Sequence, residues 1–150
     1  MTDVYLEDLH TGLSFTTATY TVSADDVKAF ARQFDPQPFH LDEVAAAETF
    51  FGGLAASGWH TAAITMRLLV SSEMRPAHGF LGAGVEQLAW PRPVRPGDAL
   101  RVHWEILETR PSRSRPTQGL ARVRMTTLNQ NDAPVQTMIA SMVVPRRGEA

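Results

Sequence analysis

An almost uncharged apolar run, residues 55–70, constrains the fold of this chain more than any other feature. Arg67 is its only charged residue, and alanine, isoleucine, methionine, leucine and valine leave almost no polar stripe. The alanine content and the length favour a helix over a pair of buried strands, and such a helix spans roughly 24 Å. A helix that is apolar on nearly all sides is buried on nearly all sides. The sequence therefore predicts a central helix over residues 55–70, enclosed by the rest of the fold.

Strand patterns account for most of the remaining chain. Residues 13–22 are rich in threonine and aromatic residues, and 85–90 form a short apolar segment before a proline. Residues 100–106 and 121–126 alternate apolar and polar side chains, as half-buried strands do. Residues 135–144 are apolar on both faces, which predicts an interior strand of a sheet. Segments rich in proline, glycine or asparagine predict the intervening loops and turns: 76–84, 93–98, 110–119 and 129–132.

Two short helices are expected before the apolar run. Ser23 has the character of an N-cap and is followed by acidic residues, so a helix begins there and ends before Asp35. Asp42 and the next residue open a second helix over 44–49, and the glycine pair at 52–53 ends it. The order of elements is a strand, a helical section and then an antiparallel meander.

An antiparallel sheet with one long helix buried against it belongs to the α+β class. A length of 150 residues suits one domain, residues 1–150, with a core of its own. Such a sheet has open edges, and pairing of edges between two copies would cover them. We therefore expect a homodimer or a higher homo-oligomer.

Composition excludes several classes of function. A net charge of −2 gives no reason to expect nucleic acid or an anionic membrane as a partner. The chain has no cysteine, which removes disulfides, thiolate nucleophiles and cysteine-ligated zinc. Residues 1–8 lack the basic start and apolar core of a signal peptide, and no apolar span reaches about 20 residues. A cytoplasmic location is the resulting expectation.

A carboxylate and an imidazole lie five positions apart between the two short helices. Prolines 36 and 38 fix their own φ and bias Asp35 and Gln37 away from helix, so the segment predicts a rigid, extended elbow. Aspartate and histidine are frequent proton-transfer groups near neutral pH. Asp35 and His40 therefore suggest an acid–base pair that faces the start of the buried helix.

Structural roles are the alternatives for these residues. Asp35 can cap a turn, and His40 can be a semi-buried histidine with its hydrogen bonds satisfied. A metal site at His40, Asp42 or His60 lacks further ligands at a recognisable spacing, so no metal is expected. Arginines crowd the second half of the chain. The loop 110–115 would suit phosphate groups, but a solvated turn explains its arginines as well.

The sequence resembles the MaoC-like hydratases and dehydratases, also called the (R)-specific enoyl-CoA hydratase family. Three motifs carry the resemblance: Asp35-x-Gln37-Pro38-x-His40-x-Asp42, Phe51-Gly52-Gly53-x-Ala55-x-Ser57-Gly58, and Arg92-Pro93-Val94-Arg95-Pro96-Gly97-Asp98. The resemblance implies a hotdog fold, in which a curved antiparallel sheet wraps a long helix. It also implies dimers that bind an acyl thioester, with coenzyme A as part of the substrate and no separate cofactor.

The resemblance assigns roles residue by residue. It implies that Asp35 and His40 are catalytic and that the backbone N–H of Gly58 polarises the thioester carbonyl. The neighbouring substrate-binding candidates are Gln37, Phe39, Ser57 and Trp59. The family usually has asparagine where this chain has Gln37, and His-Gly-Met where this chain has Ser57-Gly58-Trp59. We therefore expect altered hydrogen bonds at the elbow and an acyl pocket narrowed or reshaped by Trp59.

Three functions agree with this sequence. The first is hydration of an enoyl thioester, or the reverse dehydration, by an acid–base pair that shares one water. The second is hydrolysis of the thioester by a carboxylate and water on the same fold. The third is a module that binds acyl thioesters without turnover. The fold alone does not choose among them.

Overall fold

A computed structural model describes residues 3–148. A single 3-10 turn, Leu6–Asp8, precedes the main elements. The helices are α1 (Ala24–Phe34), α2 (Pro38–Leu41), α3 (Glu43–Ala47) and α4 (Gly58–Val70). The strands are β1 (Ser14–Thr16), β2 (Tyr20–Thr21), β3 (Leu81–Ala89), β4 (Ala99–Pro111), β5 (Gln118–Leu128) and β6 (Pro134–Pro145).

The strands form one antiparallel sheet in the order β1-β4-β5-β6-β3, with β2 also paired to β4. The three long strands β4, β5 and β6 follow one another as the expected meander. Alternate side chains of β4 point into the core, among them Leu100, Val102, Trp104 and Ile106. Strand β6 lies between β5 and β3, which confirms the interior position expected from its two apolar faces. The architecture is α+β, as predicted.

Helix α4 lies against this sheet and contacts β4 and β6. It begins at Gly58, three residues later than the predicted start, because Ala55 and Ala56 donate their N–H groups elsewhere. Ala55 N bonds to Phe39 O at 3.0 Å and Ala56 N to Val94 O at 2.8 Å, so both residues stay outside the helix. Ser57 caps the helix, and its side chain accepts a hydrogen bond from Trp59 N at 3.2 Å.

The prediction that α4 is enclosed on nearly all sides is wrong for the single chain. Ile64, Leu68 and Leu69 are buried. Trp59, Met66 and Val70 are instead 60%, 43% and 44% exposed. The sheet of one chain covers only one side of the helix, which leaves these apolar side chains uncovered.

The helices before α4 follow the predicted capping chemistry. The Ser23 side chain accepts a hydrogen bond from Asp26 N, and Asp42 accepts one from Ala45 N at 2.8 Å. The extended elbow is a partial error, because residues 38–41 form one helical turn, α2. Pro38 occupies the first position of that turn, where its fixed φ suits a helix and no N–H is needed.

The strands differ from prediction mainly in their bounds. Residues 13–22 are divided into β1 and β2, and β4 and β5 run further toward the turn that joins them. Strand β3 begins at Leu81, inside a predicted loop. Gly82 and Gly84 pair with β6 across a register shift, so backbone pairing outweighs the weak strand propensity of glycine there. Within residues 3–148, no helix is long and apolar enough to cross a membrane.

Candidate active site

Asp35 and His40 are brought together by the change of direction between α1 and α2. Asp35 is the C-cap of α1, and its N–H bonds to Ala31 O at 2.9 Å. His40 lies in the single turn α2. The side chains meet with His40 Nε2 3.3 Å from Asp35 Oδ2, and they are 5% and 18% exposed. The predicted pair is therefore a real contact in a largely buried environment.

The hydrogen bond to Ala55 fixes the orientation of the His40 ring. Nδ1 lies 2.6 Å from Ala55 O, and because a carbonyl only accepts, Nδ1 carries a proton. In the neutral ring, the lone pair is therefore on Nε2, the atom that faces Asp35. Ala55 is held in turn by its own N–H bond to Phe39 O at 3.0 Å. This arrangement leaves Nε2 as the nitrogen that can exchange a proton.

The surroundings of Asp35 favour its ionised form. Burial raises the pKa of this carboxyl, but hydrogen bonds from Gln37 and Ser57 and the charge of His40 act in the opposite direction and prevail, so the pKa is lowered. Gln37 Nε2 donates to Asp35 Oδ1 at 2.5 Å. Asp35 is thus a carboxylate at neutral pH. The side chain of Gln37, longer than the asparagine that is usual in the family, therefore bonds directly to the Asp35 carboxylate.

Gly58 lies at the N-terminus of α4, where the first N–H groups of a helix have no carbonyl acceptor four residues earlier. The positive end of the helix dipole is located at the same place. Gly58 and His40 both line one open cleft of about 320 Å³. The other lining residues are Phe51, Ala56, Thr61, Trp90, Pro91, Arg92, Pro93 and Val94. The cleft thus joins an acid–base group and a helix N-terminus in a mainly apolar wall.

A second cavity of about 390 Å³ lies between Tyr5, His78 and Arg146 and shares no lining residue with this cleft. It is slightly larger, but His40 lines only the smaller cleft, and Asp35, which lines neither cavity, contacts His40 from outside that lining. The acid–base chemistry therefore places the candidate site in the smaller cleft.

Trp90 is the residue of this cleft that sequence reasoning missed. Its ring lies so close to Gly58 that a Cβ there would be 2.6 Å from Trp90 Cε2. Its Nε1 donates to Gln136 Oε1 at 2.9 Å. The predicted strand 85–90 includes Trp90, but no local pattern connects it to a glycine 32 positions earlier. Only the packing of β3 and the following loop over α4 brings them together.

Arg95 supports the site from behind the loop that enters α4. Its guanidinium donates to Phe51 O, to Gly53 O at 2.9 Å and to Leu54 O at 3.3 Å. Its backbone N–H bonds to Asp98 Oδ2 at 2.9 Å. This segment leads directly to Ala55, whose carbonyl orients His40. The sequence motif around Arg95 predicted a turn, and the turn is present, but nothing in the motif indicated this loop contact.

The remaining predicted site residues lie around the cleft. Phe39 is half-buried, with ring centroids 4.6 Å from His40 and 5.0 Å from Phe51. Ser57 is fully buried beside Asp35. Trp59 is 60% exposed, lies outside the cleft lining and packs edge-on against Trp90 at 5.2 Å. Among residues 3–148, no group of three or more histidine or acidic residues is placed to hold a metal ion.

Comparison with known proteins identifies relatives of this chain. The family model described as "MaoC like domain" matches residues 10–129. A crystal structure of the MaoC-like dehydratase from Rhodospirillum rubrum is 54% identical, covers 97% of this chain and 99% of that one, and has a TM-score of 0.93. The 3-hydroxybutyryl-CoA dehydratase of Methylorubrum extorquens is 33% identical over 98% of this chain and 88% of its own length.

A more distant structure confirms the predicted fold type. A Mycobacterium tuberculosis protein described as having a double hotdog fold is 21% identical, with a TM-score of 0.78. The match covers 99% of this chain and 46% of that protein. This chain therefore has the hotdog fold, with the sheet packed on α4 as the central helix.

Proposed function

Because this chain belongs to the MaoC-like domain family, we propose that it is a hydro-lyase acting on the α,β double bond of an acyl thioester. One observation carries the proposal: His40, which contacts Asp35 at 3.3 Å, lines the same cleft as the N-terminus of α4. Hydration requires a group to orient and deprotonate water and a donor for the developing enolate oxygen. The cleft contains residues suited to both tasks.

In the proposed reaction, one water in the cleft forms hydrogen bonds with both the Asp35 carboxylate and His40 Nε2, which lie 3.3 Å apart. The water oxygen bonds to the β-carbon while one of its protons passes to Nε2. Asp35 accepts a hydrogen bond from the remaining O–H and stabilises the imidazolium that forms. The α-carbon then receives that proton, so the net change is addition of H and OH across the double bond. Dehydration is the reverse sequence.

Gly58 supplies the third part of the proposed mechanism. As electrons move from the double bond toward the thioester, negative charge develops on the carbonyl oxygen. The N–H of Gly58 and the positive end of the α4 dipole stabilise that charge. The space that a side chain at position 58 would take is occupied by the Trp90 ring.

The proposed substrate is an acyl-CoA, so coenzyme A enters as part of the substrate and no separate cofactor is needed. The name of the Methylorubrum extorquens relative, 3-hydroxybutyryl-CoA dehydratase, supports this substrate class. Arg92 is exposed and lines the cleft, where its guanidinium is suited to bind a phosphate group of coenzyme A.

We further propose a homodimer paired through the β3 edge. Strand β3 bonds to β6 on one side, and Leu81 and Val85 are 60% and 58% exposed. Exposed apolar side chains on an edge strand favour pairing with another strand. Such a dimer also offers cover for the exposed face of α4. The single domain and the cytoplasmic location stay predictions.

Incubation with a short trans-2-enoyl-CoA tests the function against its two rivals. Loss of the conjugated double bond without free thiol supports hydration. Release of coenzyme A thiol supports a thioesterase instead, and binding with neither change supports a non-catalytic module. Both signals can be followed in one sample, by absorbance of the enoyl group and by a thiol reagent.

A further inference from the structure

Trp90 forms the wall of the cleft directly beside the proposed oxyanion donor. Its ring packs closely against Gly58, because a Cβ at position 58 would lie only 2.6–2.9 Å from three ring atoms. It is 40% exposed and borders the same cleft as His40. A substrate whose carbonyl oxygen reaches Gly58 therefore has the indole as its neighbour.

The position of this indole is fixed by a buried chain of hydrogen bonds. Trp90 Nε1 donates to Gln136 Oε1 at 2.9 Å, and Gln136 Nε2 donates to Thr65 Oγ1 at 3.2 Å. Thr65 Oγ1 lies 2.7 Å from Thr127 Oγ1. Gln136, Thr65 and Thr127 are all fully buried. Because buried polar groups lose much when a partner is removed, this network resists rotation of the indole.

The fixed position of the Trp90 ring limits the volume of the cleft. Its volume of about 320 Å³ is at the lower end of the roughly 300–1,000 Å³ common for small-molecule sites. Trp90 is the largest side chain in its lining and stands between Gly58 and the interior residue Gln136. Removing the indole would extend the cleft toward β6.

We propose that Trp90 is the specificity-determining residue that restricts this site to short acyl groups, and that Gln136 is the positioning residue that holds it. The proposal rests on the function proposed above. The sequence suggested that Trp59 shapes the acyl pocket; the proposal assigns that role to Trp90, because Trp90 borders the cleft and the exposed Trp59 does not.

Binding of saturated acyl-CoA esters tests this proposal without requiring turnover. Affinities for four-carbon and ten-carbon acyl groups are measured by calorimetry for wild type, Trp90→Ala and Gln136→Met. Methionine keeps the length and volume of glutamine but cannot accept from Trp90 as the amide does. Gln33→Met, at an exposed position on α1, is the matched control. Thermal unfolding of each variant reports on folding.

Trp90→Ala is expected to shift the affinity ratio toward the ten-carbon group by at least about tenfold, the scale of discrimination expected from apolar pocket contacts. Gln136→Met is expected to shift it in the same direction, and Gln33→Met to leave it unchanged. An unchanged ratio in Trp90→Ala overturns the specificity role. A Gln136→Met variant that melts earlier but keeps the wild-type ratio overturns the positioning role.

The same experiment separates failure of this inference from failure of the proposed function. Wild-type protein that binds the four-carbon ester but does not hydrate its enoyl counterpart contradicts the proposed hydro-lyase, while the shift in the affinity ratio still supports the inference. Wild-type protein that binds neither ester overturns both.

Discussion

His40 Nε2 lies 3.3 Å from Asp35 Oδ2 while the opposite ring nitrogen donates to Ala55 O at 2.6 Å. The backbone thus fixes one nitrogen of the ring and leaves the other facing a carboxylate. Ala55 immediately precedes the segment that caps α4. The acid–base pair and the helix N-terminus are therefore positioned by the same short stretch of chain.

Gln37→Ala is expected to raise the pKa of Asp35. The Gln37 amide is the leading hydrogen bond that opposes the effect of burial on this carboxyl. Carboxyl NMR titration measures the change, with Gln33→Ala as the exposed control. A pKa of Asp35 identical in both variants and wild type contradicts this reading of the site.

The lowered pKa of Asp35 also predicts how acid affects stability. Because the folded pKa lies below the ordinary value of 3.8, ionised Asp35 contributes stability above that pH. The contribution is lost as pH falls through the folded pKa. The difference in free energy of unfolding between wild type and Asp35→Asn should therefore be constant near neutrality and shrink below about pH 4. Denaturant titrations from pH 7 to pH 2.5 measure this difference in free energy of unfolding. A difference that grows on acidification would contradict the prediction.

Gly58→Ala is expected to destabilise the fold, although alanine ordinarily stabilises a helix relative to glycine by about 0.5–1 kcal/mol. The new Cβ would overlap the Trp90 ring, and overpacking of this kind costs about 1–3 kcal/mol. In a Trp90→Ala background the same change should become neutral or stabilising. A double-mutant cycle of unfolding free energies measures the coupling. An equal cost in both backgrounds shows that the two residues do not compete for space.

Arg95→Met is expected to reduce stability by about 2–4 kcal/mol, because three carbonyls lose a charged donor. The stability of Arg95→Lys should lie between those of wild type and Arg95→Met, since an ammonium keeps the charge but cannot reproduce the planar guanidinium. The matched control is Arg115→Met in the exposed turn between β4 and β5. Urea unfolding compares them. Equal stabilities for Arg95→Met and Arg115→Met contradict the support role of Arg95.

His60 should make stability fall in mild acid. Its ring stacks on Phe30 at 4.8 Å, Nδ1 is buried without a partner among residues 3–148, and burial lowers its pKa below 6.5. The unfolded chain then binds more protons below that pH, so stability is lost as pH falls through the folded pKa. His60→Phe keeps the stacked ring and should flatten the decline between pH 7 and about pH 5. Exposed His10→Asn is the control. A His60→Phe profile parallel to wild type contradicts the assignment.

Local chemistry explains which features the sequence predicted. Ser23 and Asp42 cap helices by contacts within three residues. The alternation in β4 marks its buried face directly. The Asp35–His40 contact could also be predicted, because the two residues are close in sequence and the prolines between them limit the backbone conformations of the segment.

Long-range packing explains the rest. The bonds from Phe39 and Val94 hold residues 55–56 outside α4, although their composition suits a helix. Trp90 meets Gly58 and Gln136 only in the folded structure, in which β3 pairs with β6. Arg95 reaches its carbonyls across more than 40 positions. These partners have no local pattern that identifies them, so the wall and the support of the site appeared only in the structure.

The proposed mechanism requires Asp35 and His40 to act together on a double bond next to a thioester. Its most direct test is the initial rate of double-bond loss from a four-carbon trans-2-enoyl-CoA with wild type and Asp35→Asn, both shown to be folded. The proposed mechanism predicts turnover by wild type without thiol release, and a rate lower by at least about 100-fold in the variant. Full activity in Asp35→Asn would contradict it.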